Sequence, residues 1–198
     1  MNAAMQTLYW RVANEKNTEL DAVSVLMPQD ESEGPRVALE YPVDVSFRPS
    51  QQHSSPIDLR WSDEDVSLFL ALLNKVMDFD QSNIELDIED KTVQGIIHLV
   101  ATARFQTPWP ADELEGEDFL TYRRELDVGD LVALNTRYGF VSAVIVDLDS
   151  IDATCILLDE VVDDDDQILM PGYQLLVVNR AAVLPAEFGE DVDPEVVH

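Results

Sequence analysis

The chain has 198 residues and carries 40 Asp and Glu against 12 Lys and Arg, a formal net charge of -28 at pH 7, yet 46% of its residues are apolar or aromatic. That apolar share sets it apart from acidic disordered chains, which combine high charge with low hydrophobicity, and suffices for a core in one domain or two small ones. The acidity opposes direct binding to nucleic acid or to anionic membranes, and the absence of a basic leader or an apolar run of about 18 residues leads to the expectation of a cytoplasmic chain with no membrane span.

Leu8 to Ala13 is a short apolar run, and Leu20 to Met27 follows the polar turn Asn14 to Asn17, the pattern of a β-hairpin. From Val37 the alternation is regular: Val37, Leu39, Tyr41, Val43, Val45 and Phe47 share one face, with Ala38, Glu40, Asp44 and Ser46 on the other. Pro42 marks this strand as an edge or a bulge, because proline cannot donate to a ladder. Gln29 to Pro35 and Arg48 to Pro56 read as polar, proline-bearing loops.

Ser62 is an N-cap residue followed by Asp63, Glu64 and Asp65, whose carboxylates complement a helix dipole. Val66, Phe69, Leu70, Leu73, Val76 and Met77 then recur at helical spacing. Ile84, Leu86 and Ile88 alternate with acidic residues, and the apolar segment Val93 to Phe105 comes after Asp90-Lys91. Val93, Ile96, Ile97 and Val100 fit a helix face, but Gly95 and the β-branched content favour strands, so a hairpin is predicted.

Thr107-Pro108-Trp109-Pro110 is a break, followed by the acidic segment that contains Asp112, Glu113, Glu115, Glu117 and Asp118. Short strands are then predicted at Leu131 to Thr136, Phe140 to Asp147, Ala153 to Leu158 and Tyr173 to Val178, with turns at Tyr138-Gly139, Asp149-Ser150 and Pro171-Gly172. The stretch Val128-Gly129-Asp130-Leu131-Val132 resembles the opening of an SH3-like barrel. The chain is thus predicted as α+β: an N-terminal antiparallel sheet with one main helix over 1–106, an acidic linker or short helix over 107–126, an all-β small barrel of SH3-like type over 127–186, and an acidic tail over 187–198.

Candidate chemistry is sparse. His53 lies in a polar loop, His98 in an apolar segment and His198 at the end of the sequence, and none belongs to a nucleophile-and-base pattern. With 40 carboxylates, acid/base pairs arise by chance, and no glycine-rich phosphate loop is present. Asp78 to Glu89 offers oxygen ligands at four positions of an EF-hand loop, but Asn83 replaces its turn glycine and Glu85 its central apolar residue, so a turn into a strand is the preferred reading. The single Cys155 sits in the apolar run Ala153 to Leu158 and is expected to be a small buried hydrophobe. No enzyme, metal or cofactor is expected.

The carboxylate clusters are the remaining candidates for a partner surface: Asp63, Glu64 and Asp65 at the helix start, Asp112, Glu113, Glu115, Glu117 and Asp118 after the break, and the run Asp163, Asp164, Asp165 and Asp166. Asp63 to Asp65 are also explained as capping residues, and Asp163 to Asp166 as a solvated loop between strands. Trp10 is expected in the core, whereas Trp109, flanked by prolines, is the exposed aromatic anchor. Duplex DNA carries one charge per roughly 1.7 Å, so 28 charges match about 48 Å of duplex, close to the ~42 Å diameter of a compact chain of this length. In charge and size the chain resembles acidic DNA-mimic inhibitors of phages and mobile elements that act against restriction, CRISPR or nucleoid proteins. The resemblance implies a non-enzymatic inhibitor of a basic DNA-binding protein, with carboxylates standing in for phosphates. Two other readings fit the charge: an acidic adaptor that binds through its barrel, and a salt-adapted domain, consistent with only three lysines, Lys16, Lys75 and Lys91.

Overall fold

In the computed structural model, which describes residues 8–15, 18–27, 39–49, 55–76, 87–110, 125–163 and 165–188, the first two apolar runs pair as the expected antiparallel hairpin. They form β1 (Tyr9–Asn14) and β2 (Asp21–Met27). β3 (Leu39–Phe47) and β4 (Ile57–Arg60) complete a four-stranded antiparallel sheet in the order β3-β2-β1-β4. β3 is an edge strand, which accommodates Pro42, and its ladder with β2 shifts by two residues at Asp44 and Val45. A two-residue shift keeps the alternation in phase, so Val43 and Val45 stay buried while Asp44 and Ser46 stay exposed. Val37 and Ala38 lie outside the described residues.

α1 (Asp63–Val76) begins where the capping residues place it: the Ser62 hydroxyl accepts from the Asp65 N–H at 3.2 Å, and an Asp65 carboxylate oxygen accepts from the Ser62 N–H at 2.8 Å. Val66, Phe69, Leu72 and Leu73 form its buried face.

The segment predicted as a hairpin is instead a second helix, α2 (Lys91–Phe105). Asp90 caps it, accepting from the Thr92 and Val93 N–H groups at 2.7 and 3.3 Å. Val93, Ile96, Ile97 and Val100 are buried along one face, with α2 packed on β3 and α1. Gly95 lies on the exposed side, where no side chain is needed, and burial of the opposite stripe outweighs the weak helix propensity of the β-branched residues. Ile84 and Leu86 lie outside the described residues, and Asp87 to Asp90 form the turn into α2.

The chain divides into two compact units, Met1–Gln106 and Thr107–His198. The second is built from β5 (Trp109–Pro110), β6 (Leu131–Thr136), β7 (Gly139–Leu148), β8 (Asp152–Leu157), β9 (Val161–Val162), β10 (Ile168–Met170), β11 (Leu175–Asn179) and β12 (Val183–Pro185). The order β12-β6-β7-β8-β11-β5 makes one six-stranded sheet, antiparallel except where β5 meets β11, while β9 and β10 form a separate hairpin. The four predicted strands correspond to β6, β7, β8 and β11, with ends displaced by two residues at most. β11 starts after Tyr173, whose φ of 60° in the left-handed region belongs to the preceding turn.

Val132, Leu134, Ala143, Ile145, Cys155, Leu157, Leu176 and Val178 contribute to the core of this unit. Gly129, at φ 91°, takes a left-handed conformation that brings its N–H to the Ile145 carbonyl at 2.8 Å, while the Ile145 N–H bonds the Asp130 carbonyl at 3.0 Å. An extra residue, Val146, shifts the β7–β8 ladder between Ile145 and Asp147. The expected closed barrel is not formed by the described residues: β12 and β5 end the sheet without pairing to each other. Those end strands are three and two residues long, and Pro110 has no N–H to extend a ladder.

Candidate partner-binding surface

The acidic clusters among the described residues are placed differently in the fold. Asp63 and Glu64 face solvent at the start of α1, and the hydrogen bond with the Ser62 side chain leads the causes that hold the Glu64 carboxyl below its usual range. Asp65 is only 4% exposed, and the carboxylate oxygen that closes the capping box also accepts the Trp10 indole N–H at 3.2 Å. Its charge is committed within the fold, so the expectation that it faces a partner is corrected. Asp112, Glu113, Glu115, Glu117 and Asp118, together with Asp164, lie outside the described residues.

Asp163 organises the tip of the β9–β10 hairpin. One of its carboxylate oxygens accepts from the Asp165 and Gln167 N–H groups, both at 2.9 Å, and its own N–H bonds the Gln167 carbonyl at 3.0 Å. Asp166 occupies the left-handed region at φ 58°, which Asp tolerates better than most residues. The run therefore combines a turn-forming carboxylate with exposed ones, Asp165 and Asp166.

Other carboxylates divide the same way. Asp149 accepts from the Ile151 and Asp152 N–H groups at 2.7 Å, which holds its carboxyl below the usual range, and Asp130 accepts the Asp127 N–H at 3.0 Å. Glu125, Asp147, Asp159, Glu160 and Glu187 are exposed.

The charge is unevenly shared between the units. Residues 107–198 carry 22 Asp and Glu against four Arg and no Lys, a net -18, whereas residues 1–106 carry 18 against eight, a net -10. In the first unit Arg11 is clamped between strands, donating to both Asp58 oxygens at 2.8 and 2.9 Å and to Glu40 at 3.1 Å. In the second, Arg180 donates to the Asp149 backbone carbonyl at 2.7 Å.

Apolar exposure follows the same division. Trp109 is 58% exposed at the β5 edge, and Trp10 is fully buried, stacked on Trp61 at 4.7 Å. Eleven large apolar side chains are exposed among the described residues, and nine of them lie in residues 107–198: Trp109, Leu131, Tyr138, Phe140, Ile151, Ile168, Leu169, Tyr173 and Phe188. Apart from Trp109, these escape a sequence reading. In a run as apolar as Phe140 to Val146, alternation does not reveal which face will remain uncovered.

His98 is half-buried on α2, where burial depresses its pKa and the Asp44 charge partly offsets that, while His53 and His198 lie outside the described residues. Among the described residues no group of three or more His, Cys, Asp or Glu is placed to hold a metal ion, and residues 78–86 of the EF-hand-like stretch lie outside them. No helix among them is long and apolar enough to cross a membrane. Neither a protein-family model nor a curated protein matches the sequence.

Proposed function

We propose that the chain is a non-enzymatic acidic binding protein that occupies the DNA-binding face of a basic protein, its surface carboxylates standing in for phosphates. The observation that carries this reading is the coincidence, in residues 107–198, of a net charge of -18 with nine exposed large apolar side chains among the described residues. Charge maintained only for solubility needs no exposed apolar groups, whereas an interface combines electrostatic steering with apolar anchors. The connectivity of the second unit supports reading it as an SH3-like module: β6, β7, β8 and β11 follow one another across the sheet, a 3-10 turn follows, and β12 returns to pair with β6.

The test immobilises the protein and passes over it core histones, a basic nucleoid protein and, as a basic protein that does not bind DNA, lysozyme. At about 50 mM salt the DNA-binding proteins are retained, are displaced by short duplex DNA, and lose affinity steeply by about 200 mM. Retention of none of them, or retention of lysozyme equal to theirs, would defeat the proposal. A second reading, an acidic adaptor with incidental charge, is favoured by the exposure of Trp109 at a sheet edge; it requires binding that survives molar salt and ignores DNA.

A further inference from the structure

The Arg137-Tyr138 turn joins β6 to β7, held by the Tyr138 N–H to the Thr136 hydroxyl at 3.1 Å and by that hydroxyl to the Gly139 carbonyl at 2.8 Å. At this end of the sheet Phe140 meets Phe188 edge to face, ring centroids 5.7 Å apart, although Phe188 comes from the turn after β12. Both rings remain exposed, as does Tyr138. Exposed carboxylates occur close by in the chain: Glu187 precedes Phe188, and Asp159 and Glu160 follow Leu158, whose N–H bonds the Ser142 carbonyl of β7 at 2.9 Å.

We infer that this exposed aromatic pair, set in the strongly acidic second unit, forms an anchor for an arginine-bearing segment of a basic polypeptide. The inference rests on the acidic-binding reading above and locates its contact. Charge decides the occupant. A second copy of this chain brings another -28, and residues 189–198 hold four carboxylates and neither Lys nor Arg, so both carry the wrong sign. A guanidinium stacks on an aromatic face while donating to neighbouring carboxylates, which an ammonium does less well. Within 125–163 the one Lys or Arg is Arg137, at the rim of the patch, where it opposes an incoming cation.

Calorimetric titration of the full chain with nona-arginine and nona-lysine peptides, from about 50 to 200 mM salt, tests this. Phe140→Leu and Phe188→Leu keep apolar bulk and are checked for native fold by circular dichroism. Each weakens nona-arginine binding about two- to fivefold, affects nona-lysine less, and leaves the salt slope unchanged. Asp159→Asn with Glu160→Gln lowers that slope, and Arg137→Ala tightens binding. Unchanged nona-arginine affinity in both leucine variants overturns the anchor while leaving the acidic-binding reading intact. Failure of the wild-type chain to bind nona-arginine at the lowest salt, together with no retained DNA-binding protein, overturns both.

Discussion

Trp10 and Asp65, 55 positions apart in the chain, are joined by a buried hydrogen bond of 3.2 Å from the indole N–H to the carboxylate. The same oxygen accepts the Ser62 N–H, so one carboxylate caps α1 and ties it to β1, an inner strand of the N-terminal sheet. Asp65→Ala strands the buried Trp10 indole N–H and the part-buried Ser62 N–H and is expected to cost about 2–3 kcal/mol. Asp63→Ala, at an exposed position two residues earlier, stays within about 0.5 kcal/mol of wild type. Urea denaturation of both variants checks the contrast, and equal losses would show that Asp65 has no special structural role.

Gly95 is in the interior of α2 on its exposed side, and an added Cβ meets nothing within 4 Å. Gly95→Ala is therefore expected to stabilise the protein by about 0.5–1 kcal/mol, read as a rise in the thermal midpoint. A fall in the midpoint would contradict the helical assignment of this segment.

Arg11 and Asp58 make a two-pronged ion pair across β1 and β4, and the hydrogen bond from Arg11 holds the Asp58 carboxyl below its usual range. A carboxyl depressed in the folded state contributes its stabilisation above the unfolded pKa of about 4 and loses it as pH falls through the folded value. The two side chains are 34% and 43% exposed, so screening limits the contribution to under about 1 kcal/mol. Asp58→Asn should be less stable than wild type at pH 7 by that margin, with the difference closing below about pH 4. Denaturation midpoints between neutral and acid pH measure it; a gap that widens on acidification refutes the assignment.

Cys155 is buried in the core of the second unit, and burial pushes its thiol up to about 12. The folded protein is expected to resist a thiol-specific reagent at pH 8 and to react on unfolding. Cys155→Ser places a hydroxyl in that apolar core and should cost about 1–3 kcal/mol. Rapid labelling of the native chain would place the sulfur at an accessible position instead.

Much of the architecture was legible because local pattern and tertiary role coincide. The β1–β2 hairpin, the alternation through β3, the capped start of α1 and the strands β6, β7, β8 and β11 follow from apolar spacing and turn residues. The α2 segment misled for a specific reason: Gly95 and the β-branched residues speak against a helix locally, while packing of the Val93, Ile96, Ile97 and Val100 stripe decides for one. The short strands β4, β5, β9, β10 and β12 hold two to four residues each, too few for periodicity to declare.

The candidate surface was legible in sign and hidden in detail. By itself the sequence determined that the chain is strongly acidic, able to form a core and organised as α+β, because charge and apolar content are sums over residues and periodicity is local. Which carboxylates remain free, which aromatic rings stay uncovered, and the division of Asp63, Glu64 and Asp65 into two solvent-facing residues and one buried tie were decided only by the tertiary structure. Burial depends on what packs across the sheet, and a partner such as Trp10 for Asp65, or Phe188 for Phe140, comes from a distant part of the chain.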